Sequence, residues 1–207
     1  MNAASDTAKY QGVIFDMDGT IVEPLLDFHA IRRRLGIAAD EGIIEAIAAM
    51  AEPQRRLAAQ WLEEQELAAA CKTRLMSGAA AALAAVRAAG LKTALLTRNT
   101  AAAMRTVLGR FRELAFDLTM SREDGKIKPE PDGILHACRA MGISATYTIC
   151  VGDFLYDLIA AKAAGAVAVL LAPGPRPDFA HQADHVIAGL DELPALLGLA
   201  SPSVGRT

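Results

Sequence analysis

Short apolar runs alternate with amphipathic helical stretches along most of this 207-residue chain. No other feature restricts the fold as strongly. Strands separated by helices are the pattern of a parallel sheet, because each parallel pair needs a long crossover, usually a helix. The candidate strands are Val13–Asp16, Thr93–Thr97, Phe116–Thr119, Thr148–Val151 and Val167–Leu171, with His185–Ile187 as a short edge strand. Helical periodicity marks Gly78–Ala89, Thr100–Arg110, Pro131–Met141, Leu155–Ala164 and Asp191–Leu197. Gly90, Gly142 and Gly165 follow periodic runs, where a left-handed residue closes a helix. Pro131 suits a first helical turn, where a missing N–H costs nothing. Pro173–Pro177 reads as a loop.

The alternation is interrupted once. Residues 24–75 contain no strand candidate. Asp27–Leu35 carries Phe28, Ile31 and Leu35 on one face, and Glu41–Met50 carries Ile43, Ile44 and Ile47. Pro53–Leu75 reads as one long or kinked helix with Leu57, Trp61, Leu62 and Leu67. The segment is a small helical insertion placed directly after the first strand.

Hydrophobic residues make up 53% of the chain and aromatics only 5%, so the core relies on aliphatic side chains. A net charge of −3 does not favour nucleic acid or an anionic membrane as partner. Cys71, Cys138 and Cys150 form neither a close-spaced metal motif nor an even set, which fits a reducing compartment. Met1–Gln11 lacks the apolar core of a secretory signal, and no apolar run reaches the roughly 18 residues of a membrane span. These features point to a cytoplasmic protein.

Four polar clusters fall at or just beyond strand ends, where open parallel sheets bind ligands. Asp16 and Asp18 sit at i and i+2, start on one face and repel, a repulsion that a cation or a shared proton relieves. A surface Asp-Gly turn is the other reading of the same pair. Thr97-Arg98-Asn99-Thr100 places a hydroxyl and free N–H groups at a helix start, suited to an anion or to simple capping. In Lys126-Ile127-Lys128-Pro129-Glu130-Pro131 either lysine offers a point charge for phosphate, or the loop is solvated. In Gly152-Asp153-Phe154-Leu155-Tyr156-Asp157, Asp153 ends a strand and can join Asp16 in an oxygen-donor metal site, or cap the next helix. Asp157 also suits a first helical turn, where the helix dipole favours an acid.

Taken together, DMDGT, the strand-end threonine of LLTRN, KPEP and VGDFLYD, in this order from Asp16 to Asp157, resemble the haloacid dehalogenase superfamily. The helical insertion resembles that superfamily's C1 cap, in the branch of phosphoglycolate phosphatase and β-phosphoglucomutase. The resemblance implies an α/β fold: a Rossmann-like parallel sheet formed by residues 1–23 and 76–207, with residues 24–75 as the cap. It implies a Mg2+-dependent phosphatase acting on a small phosphorylated metabolite through an aspartyl-phosphate. Asp16 would be the nucleophile and Asp18 the general acid and base. Thr97 and Lys128 would bind the phosphoryl group, with Arg98 and Asn99 beside them. Asp16, Asp18 and Asp153 would hold Mg2+, supported by Gly152 and by Asp157, which would support the metal shell or orient Lys128. The lysine directly before Pro-x-Pro, Lys128, is the one the family pattern selects over Lys126. The cap would close over the site, with Glu23 and Pro24 at its hinge. His29, Arg32, Arg33 and Arg34 are its polar candidates for substrate, although a solvated helix face explains the arginines as well. A phosphomutase on the same core, or a non-catalytic binding protein, is the alternative. The protein would act as a monomer or homodimer.

Overall fold

A computed structural model describes residues 9–199. The tail beyond Ala200 and most of the N-terminal segment read above lie outside the described residues. Strands β1 (Gly12–Phe15), β2 (Lys92–Leu96), β3 (Leu118–Met120), β4 (Thr148–Gly152), β5 (Val167–Leu171) and β6 (His185–Ile187) form one parallel sheet in the order β3-β2-β1-β4-β5-β6. The α/β fold and its parallel sheet are those expected from the alternation of strand and helix. Most expected strands lie within one residue of their positions. The third is shifted along the chain, because pairing with β2 begins only at Ala94↔Leu118. Ahead of that point, the Asp117 carboxylate accepts hydrogen bonds from the Thr93 N–H and hydroxyl at 2.8 and 3.0 Å.

Side chains alternate across a strand, and the two resulting faces bury separate cores. Val13, Phe15, Leu95, Ile149, Val151 and Val169 face helices α4 (Ala79–Ala88), α5 (Ala101–Arg110) and α8 (Leu193–Leu196). Ile14, Ala94, Leu96, Cys150, Ala168 and Leu170 face α6 (Asp132–Met141) and α7 (Leu155–Ala163). This is the doubly wound, three-layer arrangement. Helix α8 is shorter than the expected Asp191–Leu197, since Leu190–Glu192 form a 3-10 turn ahead of it. Gly90, Gly142 and Gly165 take left-handed φ values of 76°, 69° and 75° after their helices.

The insertion contains α1 (Phe28–Leu35), α2 (Ile43–Ala49) and α3 (Gln54–Lys72). Asp27 caps α1 by accepting from the Ala30 N–H at 2.8 Å. Ile31, Ile37, Ile43, Ile47, Ala58 and Leu62 form a third core shared by these helices. The expected long third helix is a single helix but ends at Lys72. Arg74–Met76 instead run antiparallel to Ile21–Glu23, with the Glu23 N–H donating to Arg74 at 2.8 Å and the Met76 N–H donating to Ile21 at 2.9 Å. The Thr73 hydroxyl closes this ladder by donating to the Glu23 carbonyl at 2.8 Å. The C-terminal half of α3 packs on α5. There Ala70 joins the main core and its carbonyl accepts from Arg110 at 2.6 Å.

Candidate active site

Strand β1 occupies the centre of the sheet, with β2 on one side and β4 on the other. Chain order reverses there, and the crevice beyond the carboxyl ends of these strands is where such sheets bind ligands. Asp16 and Asp18 follow β1, Thr97 follows β2 and Asp153 follows β4. Lys128 arrives on the loop between β3 and α6. All of them, together with Arg98, Asn99 and Asp157, line one cavity of about 560 Å³ roofed by α1 and α2.

Lys128 lies at its floor, only 5% exposed. Its Nζ donates to Asp16 at 2.5 Å, to Asp157 at 2.6 Å and to the Leu96 carbonyl at 2.9 Å, so all three ammonium hydrogens are engaged. Burial alone would lower its pKa, but Asp157 and Asp16 outweigh that and hold it above the ordinary lysine range. Lys126 differs in every respect. It is exposed, and among the described residues it reaches only Asp132, at 3.8 Å.

Asp16, Asp153 and Asp157 each offer an oxygen within 4.8 Å of the others. Two glycines permit this approach. A Cβ on Gly19 would lie 2.0 Å from Asp153 Oδ2, and Gly19 also has a φ of 79°. A Cβ on Gly152 would lie 2.2 Å from the Asp157 carboxyl carbon. Burial raises the Asp16 pKa well above the ordinary carboxylate value, with Lys128 opposing and Asp157 and Asp153 adding to the rise. Asp153 is pushed to about 7 by burial and by Asp157. Crowded, desolvated carboxylates bind a cation in preference to carrying full negative charge. An all-oxygen donor set suits a hard divalent ion such as Mg2+.

The Asp18 side chain is not part of that trio. It accepts from the Asn99 amide at 2.7 Å, and burial lifts its pKa to about 6 against the lowering effect of that bond. Thr97 is buried, and its hydroxyl oxygen accepts from the Asn99 N–H at 3.1 Å. Arg98 turns away from the floor. It donates to the Lys128 carbonyl, pairs with both Glu45 oxygens of α2 at 2.9 Å and stacks on Tyr156 at 4.8 Å. Among the cap cations considered above, His29 and Arg32 line the cavity. Arg34 covers Trp61 at 4.8 Å, and Arg33 is exposed. Of the hinge candidates, Glu23 lies in the ladder and Pro24 lines the cavity.

Glu66 was not among the sequence candidates. It is 3% exposed, pairs with Arg122 at 2.5 Å and accepts from the Thr100 N–H at 3.3 Å. Its signal was present in α3, where Ala58, Leu62, Glu66 and Ala70 form a buried stripe at four-residue spacing. An acid within such a stripe needs a buried partner. Glu45 and Tyr156 were missed as well, and only the tertiary fold brings them to Arg98.

A sequence profile described as haloacid dehalogenase-like hydrolase matches residues 10–165. A haloacid dehalogenase-like hydrolase domain-containing protein of Arabidopsis thaliana is 32% identical over 175 residues, covering 79% of this chain and 71% of its own. A phosphoglycolate phosphatase of Cereibacter sphaeroides is 28% identical over 213 residues, covering 90% and 97%. The crystal structure of a HAD phosphatase from Thermococcus onnurineus superposes with a TM-score of 0.68 at 28% identity, covering 91% and 98%. A profile that spans all four polar clusters, relatives aligned over most of their length and a shared fold agree with the site geometry: the chain belongs to the haloacid dehalogenase-like hydrolases.

Proposed function

We propose that this hydrolase is a Mg2+-dependent phosphatase that acts on a small phosphorylated metabolite through an aspartyl-phosphate on Asp16. One observation carries the reading. Asp16, Asp153, Asp157 and Lys128 converge at the sheet's switch point, where a hard cation and a buried ammonium would together face an anionic substrate. The phosphatase names of full-length relatives support the same class.

Asp16 and Asp153 would hold the metal, with Asp157 beside them and the Asp18 backbone carbonyl completing the protein's share. Bound there, the ion would neutralise charge on the phosphoryl oxygens and reduce their repulsion of the nucleophile. The remaining chemistry belongs to the chain. An Asp16 oxygen attacks phosphorus, and the bond to the ester oxygen breaks. Asp18 gives the leaving oxygen a proton. It then takes one from the water that attacks the aspartyl-phosphate and releases inorganic phosphate. A pKa near 6 lets one carboxyl serve both steps. Asn99 aims that carboxyl. Thr97 has its oxygen engaged by the Asn99 N–H and keeps its hydroxyl hydrogen for a phosphoryl oxygen. Lys128 neutralises the phosphoryl group and, by opposing the effect of burial, favours the ionised form of Asp16.

We read residues 1–23 and 76–207 as the catalytic core and 24–75 as a cap that excludes water from the transfer step. The paired crossings at Ile21–Glu23 and Arg74–Met76 support that division. No described helix is long and apolar enough to cross a membrane. We infer a cytoplasmic enzyme, monomeric or homodimeric, acting on a diffusible substrate.

A phosphate-release screen over phosphorylated metabolites, with and without Mg2+, tests the reading. Metal-dependent release from at least one ester, abolished by Asp16→Asn, is the expected result. Absence of release across a broad panel, or equal release by the variant, would overturn it.

A further inference from the structure

The cavity contains more than the phosphoryl site needs. Its volume of about 560 Å³ falls within the roughly 300–1,000 Å³ of pockets that accept drug-sized ligands. A phosphoryl group on a two-carbon chain fills a small part of it. The rest is walled by Leu26, Phe28, Ile43 and Ile44 from the cap and by Phe154 and Tyr156 from the core. Phe28 and Phe154 are 46% and 49% exposed, large rings left open to solvent at the site. Open apolar surface gathered around a concave site marks a ligand surface.

The charges on the same wall agree with this. Among the described lining residues the basic side chains are Lys128, Arg98, Arg32 and His29. Lys128 belongs to the floor. Arg98 is neutralised by both oxygens of Glu45 and donates to the Lys128 carbonyl. Arg32 donates to the Glu41 carbonyl at 3.2 and 3.4 Å. Glu66 and Asp27 add acids to the lining, the first paired with Arg122 and the second capping α1. The Arg98 guanidinium is therefore not left to fork a carboxylate or a second phosphate, while Arg32 shares two of its nitrogens with a backbone carbonyl. This wall favours an uncharged apolar leaving group over a carboxylate-bearing one.

We propose that the preferred substrate is a phosphate monoester of an alcohol that carries a flat, uncharged apolar portion such as an aromatic ring, with Phe28 and Phe154 as the residues that select it. The proposal rests on the phosphatase reading above. It makes the cap wall a discriminator against two-carbon and sugar phosphates, whose leaving groups are anionic or strongly hydrated.

The test compares benzyl phosphate with 2-phosphoglycolate and glycerol phosphate, all esters of primary alcohols, so that leaving-group reactivity does not decide the order. The wild-type protein with Mg2+ should show kcat/KM for benzyl phosphate at least about tenfold above the other two, mostly through KM. Phe28→Ala should reduce that ratio about tenfold, and Phe28→Leu should restore part of it. Phe28 is half exposed, so its loss does not threaten the fold. Glu45→Ala frees Arg98 and should narrow the ratio by raising kcat/KM for phosphoglycolate. Hydrolysis with phosphoglycolate or glycerol phosphate preferred, or a Phe28→Ala ratio within twofold of wild type, would overturn the substrate assignment and leave the phosphatase reading intact. No release from any of the three esters, with no saturable binding of benzylphosphonate by calorimetry, would overturn the assignment as well. Release from other phosphate esters in the wider screen would then show that the phosphatase reading still stands.

Discussion

The amide of Asn99 donates to the carboxylate of Asp18 across 2.7 Å, joining the loop after β2 to the loop after β1. The Asp18 carboxylate lies outside the acidic trio, and in the proposed mechanism this bond would fix the direction from which it delivers a proton. Asn99→Ala should therefore lower kcat about ten- to a hundredfold, less than the roughly 10²–10⁴-fold worth of a general acid itself, because Asp18 remains and only its aim is lost. KM should change by less than about threefold. Steady-state kinetics with a saturable ester separates the two, and a loss carried by KM alone would contradict this role.

Lys128 and Lys126 are two residues apart and should behave as unrelated residues. Lys128→Ala leaves Asp16 and Asp157 without their buried counter-charge, a type of loss worth about 3–5 kcal/mol. Turnover should fall by at least a thousandfold and the thermal midpoint should drop without metal. Lys126→Ala should retain activity within about twofold, because that ammonium is exposed. Parallel losses in the two variants would refute the assignment.

Gly19→Ala tests the metal site without removing a carboxylate. The new Cβ would fall 2.0 Å from Asp153 Oδ2, on a backbone with φ of 79° that alanine rarely adopts. Asp153 must move, and affinity for Mg2+ or Mn2+ should weaken about ten- to a hundredfold. Calorimetric titration reads this directly, and unchanged affinity would show that Asp153 contributes nothing to the ion's binding.

Glu66 should leave a signature in the pH dependence of stability. Burial raises its folded pKa above the ordinary glutamate value, against the opposing effect of Arg122. Between the unfolded and folded values the native state binds the proton and the unfolded state does not, so stability falls as pH rises. The contribution is fully present below about 4.5 and is lost as pH climbs through the folded value. Urea unfolding of wild type and Glu66→Gln across this window should therefore show wild type losing ground to the variant with rising pH. A difference that grows in favour of wild type would reverse the assigned direction.

The sheet was legible because hydrophobic alternation and strand-end chemistry are local. Val13–Phe15 reads as a strand from its own residues and is buried on both faces. Asp16, Thr97, Lys128 and Asp153 were legible because a parallel sheet carries strand ends to one edge. Arg98, expected beside the substrate, lines the cavity and there pairs with Glu45, more than fifty residues earlier in the chain. A partner at that distance is chosen by how α2 packs, which no local pattern encodes. The end of α3 was read too late for a similar reason. Arg74–Met76 have a partner strand only because Ile21–Glu23 lie alongside.

The same ladder bears on how such a chain can change. Residues 24–73 leave and rejoin the sheet domain at two points already hydrogen-bonded to each other. The ends of the excursion are fixed whatever lies between them, and doubling a flexible loop's length costs only about 0.6 kcal/mol in closure entropy. Insertions, deletions and exchanges ahead of α3 can therefore accumulate with little effect on the six-stranded sheet, whereas α3 itself is tied to it by Ala70 and Glu66. The span ahead of α3 is a place where lineages can diversify while the machinery beneath it stays the same.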